Sequence, residues 1–477
     1  MDSLGLKSAV GAKGADGVTA GDEGYAKSLT NRQIQMIAIG GAIGVGLLLG
    51  AGGRLQFVGP GLVLSYAISG VAAFFVMRAL GELVLHRTTS GSFVEYAREF
   101  IGPWAGFASG WMYWLNWAMT GIAECTAAAI YVSRWLPDVP QWITALVALG
   151  VLLVVNLLSV KLFGELEFWF ALVKVLAIVV FLFVGLALIT TGASVGDTGH
   201  HAGIGNLTEH NGFLPNGFPV VLMALQGVIF AFAAIEMVGI AAGETDNPRK
   251  VLPKAINSVV VRIAVFYVGS ILLLALVLPW TMYSGNESPF VTVFSHLGVP
   301  AAGDIMNAVV LTAALSSCNS GLYSTARILR SLSQRGEAPA FTARMSRRQV
   351  PYGGILFTGF VYLCGVALNY WIPTDAFDIA VNVASLGIIT TWMTLLFCQI
   401  QLRRKALRGE IERPSFRMPG APYTGWATLA FLVGCLGLMA FSDDWKQQVA
   451  VALAPVLAIV LAVGWRIIET RRAGNQV

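Results

Sequence analysis

The sequence predicts an all-α integral membrane protein with about twelve transmembrane helices, and three observations support this fold class. Hydrophobic residues make up 56% of the 477 residues and charged residues only 12%, with a mean hydropathy of +0.70. Apolar runs of about 20 residues, long enough to cross a bilayer, recur along the chain. Glycines interrupt the first of these runs, in the stretch IGGAIGVGLLLGAG at 39–52. This composition excludes a soluble domain of the same length.

Charges, prolines and Asn/Asp clusters bound the apolar runs and so define the predicted spans. The spans lie near 34–54, 58–80, 105–133, 141–160, 168–191, 218–242, 256–279, 303–329, 352–371, 378–401, 424–442 and 447–468. The Gly- and Ala-rich tail at 1–29 has no apolar core that would form a cleavable signal. We therefore expect this tail to be a disordered cytoplasmic segment and the first span to direct insertion.

The distribution of basic residues predicts the orientation. Most of the 31 Lys and Arg residues fall in the N-terminal tail and in the loops on its side of the membrane. Only Arg54, Arg134 and Lys446 lie in loops on the opposite side. Since basic residues near span ends stay in the cytoplasm, both termini are expected there, in a multi-pass plasma membrane protein. The net charge of +5 then follows from topology and does not indicate nucleic-acid binding.

The first span has a counterpart later in the chain. Residues 45–50 and 238–243 share the pattern Val-Gly-x-x-x-Gly, and the sixth span enters from the side opposite to the first. This predicts two inverted five-helix repeats in which helices one and six are discontinuous. The repeats would cover 30–191 and 218–402, with an extracellular loop at 192–217 between them. A cytoplasmic loop at 403–423, two C-terminal helices at 424–468 and a cytoplasmic tail at 469–477 would follow the second repeat. Helix packing through GxxxG is the alternative interpretation of the glycines.

The two interrupted helices predict a binding site for an α-amino acid near the middle of the membrane. A break around Gly41 to Gly44 would expose N–H groups that suit a carboxylate. An unwound stretch at 230–234 would leave carbonyl oxygens for an ammonium group. Phe230 and Phe232 could close over a small solute, although ordinary packing also explains both.

Ionisable residues inside apolar helices are further candidates, because inserting each costs roughly 2.5–3.5 kcal/mol. Lys174 could replace a coupling cation by losing and regaining a proton, or its side chain could extend back to the interface. Glu124 and Glu236 could carry a proton or gate the path, or could form ion pairs or helix-end hydrogen bonds.

Polar side chains recur at helical spacing on two spans. Asn116, Thr120 and Glu124 follow one another every four residues on the third span. The eighth span carries a similar row that includes Ser316 and Ser317. Such rows are typical of helices that line a cavity, where they would contact a polar substrate side chain. Hydrogen bonding to neighbouring helices is the alternative interpretation.

Motifs of several enzyme and metal-binding classes are missing from the sequence. There is no GxxxxGK[ST] phosphate loop and no HExxH or CxxC pattern. The five cysteines lie singly in apolar spans and are expected to pack as small core residues. We therefore expect no cofactor, no resident metal and no enzyme activity.

Longer motifs connect the chain to a known family. They are LTNRQIQMIAIGGAIGVGLLLGAG, GELVLHRTTSGSFVEYAREFIGPWAG, WMYWLNWAMTGI, FGELEFWFALVKVLAI, GVIFAFAAIEMVGIAAGETDNP, LPKAINSVVVRI and SSCNSGLYSTARILRSL. Through them, from about residue 29 to 471, the chain resembles the amino acid permease branch of the amino acid-polyamine-organocation superfamily, and most of all its bacterial asparagine-type subgroup. The resemblance implies a LeuT-like core of two inverted repeats plus two C-terminal helices, in the bacterial inner membrane.

The resemblance also implies roles for individual residues. The substrate carboxylate would bind at Gly41, Ala42, Ile43 and Gly44, and the ammonium at carbonyls of Phe230, Ala231 and Ala233. Phe230 and Phe232 would be gate aromatics and Glu236 the acidic residue of helix six. Lys174 would fill a sodium-like site with Ser316 and Ser317 nearby. The chain departs from the subgroup at Glu124, where the subgroup carries Asp.

The expected function is secondary active import of a neutral polar L-amino acid together with a proton, by alternating access. L-asparagine is the leading substrate. Import of glycine, D-alanine, serine or γ-aminobutyrate, or exchange of one amino acid for another, is the alternative within transport, and a non-transporting amino-acid sensor is the alternative of another class. The expected partners are the amino acid, protons and the lipid bilayer, and the sequence leaves the oligomeric state open.

Overall fold

A computed structural model describes residues 43–87, 92–158, 160–196, 198–236 and 248–474, and these residues form an all-helical fold. Within this part of the chain no β-strand is formed, only one isolated bridge between Ser194 and His201. The predicted tail at 1–29 and most of the first predicted span lie outside the described residues.

The described residues form eighteen α-helices, numbered in chain order. They are α1 (Val45–Leu48), α2 (Gly50–Val58), α3 (Leu62–His86), α4 (Ser92–Phe100), α5 (Pro103–Ser133), α6 (Gln141–Leu158), α7 (Val160–Thr191), α8 (Gly205–Thr208), α9 (Phe218–Met223), α10 (Leu225–Ala231), α11 (Pro248–Arg262), α12 (Ser270–Val277), α13 (Pro289–Ser295), α14 (Ala302–Gln334), α15 (Tyr352–Trp371), α16 (Ala376–Leu407), α17 (Tyr423–Ala440) and α18 (Trp445–Gly474). A π-helical segment, Ile263–Gly269, joins α11 to α12, and short 3-10 turns lie at Trp280–Met282 and Ala340–Ala343.

Nine helical stretches among the described residues are long and apolar enough to cross a membrane, so the chain is a multi-pass membrane protein. They are Leu62–His86, Gln141–Leu158, Phe163–Thr191, Ile256–Val277, Ala302–Gln334, Tyr352–Trp371, Ala376–Leu407, Tyr423–Ala440 and Trp445–Gly474. The helix at the third predicted span, α5, has 31 residues but falls outside this set. Its polar residues Asn116, Thr120 and Glu124 lower its hydropathy, and all three are buried, so they face the protein and not lipid.

The core of the fold surrounds α5. This helix packs along its length against α14 and α16, and most of its side chains are buried. In contrast, α18 lies at the periphery, and no residue in its most apolar window is buried. An apolar helix whose most apolar stretch is not buried in the protein suits a lipid-facing position.

One helix boundary and one additional helix differ from the sequence prediction for physical reasons. The predicted fifth span begins at 168, after the charged residues of GELE, whereas α7 already begins at Val160. The charge did not end the helix, because Glu167 is buried against polar groups of α14. Helix α4 was not predicted, since its nine residues are too few and too polar to form a span.

Candidate functional site

The start of α1 and the end of α10 lie against each other in the core. Gly44 is extended, with φ −124° and ψ −171°, and its carbonyl oxygen accepts hydrogen bonds from the N–H groups of Leu47 and Leu48. A Cβ atom on Gly46 would lie 2.7 Å from the Cα of Ala231 and 2.9 Å from Cδ1 of Phe230. Glycine at position 46 therefore allows the backbones of α1 and α10 to touch.

Helix α10 ends at Ala231 because the chain tightens into turns. The N–H of Phe232 donates to the Ile229 carbonyl and that of Ala233 to the Phe230 carbonyl, both at 3.0 Å. Ala234 then takes a positive φ of 69°, which a residue with a side chain seldom adopts. The chain from 232 to 236 is thus turned and not α-helical, which overlaps the unwound stretch predicted at 230–234, although 230 and 231 still belong to α10.

A small cavity of about 20 Å³ lies between the start of α1, the end of α10 and α5. Its lining includes eight of the predicted substrate and coupling residues, namely Gly44, Asn116, Thr120, Glu124, Phe230, Ala231, Ala233 and Ser317, together with Gly46, Trp117 and Ala234. This volume holds about one water molecule. An amino acid can therefore occupy the cavity only if its walls move apart.

Two other predicted substrate residues within the described part of the chain, Ile43 and Phe232, do not line the cavity. Ile43 is buried, and Gly41 and Ala42 lie outside the described residues. The ring of Phe232 does not line the cavity: it stacks on Tyr267, with centroids 4.6 Å apart, and tilts against Tyr66 at 5.9 Å. Phe230 and Phe232, although two residues apart, thus face different surroundings, and only Phe230 reaches the cavity.

Glu124 reaches from α5 to the start of α1. Its Oε1 accepts a long hydrogen bond of 3.5 Å from the N–H of Val45 and would lie 3.0 Å from a Cβ atom at Gly44. Its Oε2 is buried and has no hydrogen-bond partner among the described residues. One turn earlier on the same face, the Thr120 hydroxyl donates to Oδ1 of Asn116 at 3.4 Å. This face of α5 therefore offers the cavity an amide, a hydroxyl and a carboxyl group.

Lys174 lies inside the protein and does not extend to the membrane surface. Its side chain is 1% exposed, and its Nζ donates to the Ser316 hydroxyl at 2.9 Å. That hydroxyl donates in turn to Oε1 of Glu167 at 2.6 Å. Ser316 thus bridges an ammonium and a carboxylate that belong to the same helix, α7.

Glu167 is a candidate functional residue that the sequence did not single out. It is completely buried, and its Oε2 has no hydrogen-bond partner in the described part of the chain. A signal existed: Glu167 and Lys174 are seven residues apart, which places them on one face of a helix, two turns from each other.

Helix α14 connects this charged group to the cavity. Ser316 contacts Lys174 and Glu167, and its neighbour Ser317 lines the cavity, with its Oγ 3.5 Å from the position of a Cβ atom at Gly44. The next residue, Cys318, has its Sγ 3.5 Å from that of Cys125 on α5. Cys125 and Cys318 therefore meet where α14 packs on α5. Four of the five cysteines are buried as expected, but Cys364 is exposed.

Glu236 is the last described residue before 248. It is 1% exposed, and its Oε2 has no partner among the described residues. It does not line the small cavity.

A polar side chain of α16 forms a hydrogen bond to α10. The amide of Gln226 donates to the Ser385 hydroxyl at 2.7 Å, so Ser385 connects the two helices.

Comparison with known proteins places these features in a family. The family profile described as "Amino acid permease" matches residues 33–474. The chain is 57% identical over 448 residues to an L-asparagine permease of Streptomyces coelicolor, covering 94% of this chain and 91% of that protein. It is 56% identical to an L-asparagine permease of Salmonella typhimurium and 55% identical to one of Escherichia coli, each over 94% of this chain and 90% of the relative.

Proposed function

Because the chain belongs to the amino acid permease family, we propose that it is a secondary active transporter, and not an enzyme, that imports L-asparagine together with a proton. The observation that carries this proposal is the cavity between the start of α1, the end of α10 and the polar face of α5. The names of the relatives support asparagine as the substrate.

The backbone groups around the cavity suit the two charges that every α-amino acid carries. We assign the carboxylate to N–H groups of 41–44 at the approach to α1, where the Gly44 backbone is extended. We assign the ammonium to carbonyl oxygens of Phe230, Ala231 and Ala233, where α10 ends. The Phe230 carbonyl already accepts from Ala233, and a carbonyl oxygen has a second lone pair.

The side chain of the substrate would meet α5. A carboxamide both donates and accepts hydrogen bonds, and Asn116, Thr120 and Glu124 present both kinds of group to the cavity. The same groups could serve serine or the backbone of a smaller amino acid, so glycine, D-alanine, serine and γ-aminobutyrate are the competing substrates. The Phe230 ring would close over the bound solute.

The bridge of Lys174, Ser316 and Glu167 is our proposed site of proton coupling. Two buried ionisable groups that share one hydroxyl can gain or lose a proton only with a change in their hydrogen bonds. Ser317 beside Ser316 supplies the contact through which such a change would reach Gly44 and Glu124. Glu236 would contribute to gating from the end of the turned segment.

Alternating access also fits the dimensions of the cavity. A space of about 20 Å³ is too small for an amino acid, so the walls of the cavity must move apart for substrate to bind. We place the protein in the bacterial inner membrane with twelve spans and both termini in the cytoplasm. The spans would comprise inverted repeats at 30–191 and 218–402 and two C-terminal helices at 424–468.

Uptake into proteoliposomes tests this proposal. An imposed inward proton gradient is expected to drive accumulation of labelled L-asparagine, and an uncoupler should abolish it. Uptake that ignores the gradient but requires amino acid inside the vesicles would replace symport with exchange. A competition panel of unlabelled amino acids would rank the substrates, and failure of L-asparagine to compete would overturn the substrate assignment.

A further inference from the structure

A second, much larger cavity lies at the periphery of the fold, away from the proposed transport path. It is a groove of about 810 Å³ between α5, α18 and the chain that follows α14. Its walls include Phe107, Trp111 and Trp114 of α5 and Val460 and Gly464 of α18. The volume falls within the range of about 300–1,000 Å³ that is usual for small-molecule sites.

The polar groups along the groove are already bonded, with one exception. The indole N–H groups of Trp111 and Trp114 donate to the Glu337 carbonyl and the Thr358 hydroxyl, and the Ser333 hydroxyl donates to the Pro339 carbonyl. The remaining polar side chain, Arg471, lines the groove and has no hydrogen bond or ion pair within the described residues. The walls are thus apolar, and one free guanidinium stands at the end.

The charge at this end of the groove is positive overall. Glu337 also lines the groove, but its carboxylate is fully buried and bound by two cations. Arg98 donates to both of its oxygens at 2.9 and 2.8 Å, and Arg472 donates to Oε1 at 2.9 Å. Since two guanidinium groups surround one carboxylate, Arg471 adds an uncompensated positive charge.

The length of the groove corresponds to one leaflet of a membrane. Leu457 and Arg471 both line it, and fourteen helical residues rise about 21 Å at 1.5 Å per residue. Half of the hydrocarbon core of a bilayer is about 15 Å thick. A molecule in this groove with a charged end at Arg471 would therefore reach from the headgroup region to about the bilayer midplane.

We propose that this groove binds one anionic phospholipid, with its phosphate at Arg471 and an acyl chain between α5 and α18. The unpaired guanidinium of Arg471 favours an anionic headgroup, and the apolar walls of the groove favour an acyl chain. The length of the groove matches a lipid of one leaflet. The lipid would connect α18 to α5, the helix that carries Glu124. With the proposed orientation, the last turn of α18 places the lipid in the cytoplasmic leaflet, but binding itself does not depend on transport.

Native mass spectrometry of the full chain in detergent tests this proposal. The probes are dioleoyl phosphatidylglycerol, zwitterionic dioleoyl phosphatidylcholine and glycerol 3-phosphate, which has the headgroup charge without the chains. We expect a saturable adduct with phosphatidylglycerol, weaker binding of phosphatidylcholine and no binding of glycerol 3-phosphate. Binding of glycerol 3-phosphate as tight as that of phosphatidylglycerol, or equal binding of the two lipids, would overturn the proposal.

Two variants and one control connect the adduct to the groove. Arg471→Gln is expected to weaken phosphatidylglycerol binding about fivefold, the effect of one basic residue at a membrane surface. Arg466→Gln makes the same change on the same helix outside the groove and should bind as the wild type does. Gly464→Phe fills the groove beside Phe107 and should abolish binding of both lipids.

Each alternative gives a distinct result. Unchanged phosphatidylglycerol binding by Arg471→Gln would refute the role of the guanidinium. Because Gly464→Phe could disturb folding, Val460→Trp fills the same groove from another turn, and a melting transition shows that either variant is folded. If Gly464→Phe instead converts a dimer to a monomer, the groove holds a second copy of the chain and the lipid proposal is wrong.

Discussion

Replacing Gly46 with alanine tests the contact between α1 and α10 most directly. The added Cβ would lie 2.7 Å from the Cα of Ala231 and 3.0 Å from its nitrogen, both backbone atoms that no rotamer change can move. Carbon atoms pack best at about 3.5–4.0 Å, so the two segments must separate by about 1 Å. Insertions of this kind into a packed core cost about 1–3 kcal/mol.

The cost of Gly46→Ala should appear mainly in substrate affinity. The added Cβ would displace from each other the two segments to which the carboxylate and the ammonium are assigned, so it should weaken binding of a substrate that contacts both, and each 1.4 kcal/mol is a factor of ten in an equilibrium constant. We therefore expect the apparent dissociation constant for L-asparagine to rise by about fivefold to 150-fold. The assay is binding of labelled L-asparagine to purified protein, with the melting temperature measured in parallel.

Gly150→Ala is the matched control for this experiment. It makes the same change in the interior of α6, where a Cβ would meet no atom within 4 Å. Its affinity should equal that of the wild type. If Gly46→Ala retains wild-type affinity and melting temperature, then close contact at Gly46 is not needed to position α1 against α10, and the proposed role of this contact in substrate binding is refuted.

The remaining two predictions concern the proposed coupling site. Lys174→Ala should abolish gradient-driven accumulation of L-asparagine while reducing its equilibrium binding much less, because Lys174 contacts Ser316 and not the cavity; accumulation at the wild-type level would remove Lys174 from coupling. Glu167→Gln keeps the shape of the side chain and an oxygen for the Ser316 hydroxyl but removes the charge. We expect it to flatten the pH dependence of uptake, whereas Glu165→Gln, two residues away, should retain the wild-type pH profile, and identical profiles for all three proteins would refute the role of Glu167.

Much of the fold could be predicted from the sequence, since bilayer thickness sets the length of an apolar helix. Helix α15 was predicted at its observed bounds, and α5 was predicted within two residues at its start. Helix α4 was missed because its amphipathic nine residues satisfy no rule for a span. The start of α7 was misplaced because charged residues were used as the boundary of the apolar run, whereas Glu167 is buried within the helix.

The candidate site was predictable where backbone chemistry determines it. Glycines near 44 and the end of a helix near 231 are visible in the sequence, and the structure brings them together. The family resemblance placed Ser316 near Lys174, but no spacing in the chain places Ser316 against Glu167. The direction of the Phe232 ring likewise depends on Tyr66 and Tyr267, which lie far away in sequence.

The position of two consecutive serines on α14 has a consequence for stoichiometry. Adjacent residues on a helix point about 100° apart, so Ser316 and Ser317 address the charged bridge and the cavity as two sides of one rigid rod. A turn of that rod cannot alter one side and leave the other as it was. If the amino acid and the proton are coupled in this way, the geometry of one helix sets their transport ratio at one to one. The ratio would then not depend on two separate binding affinities.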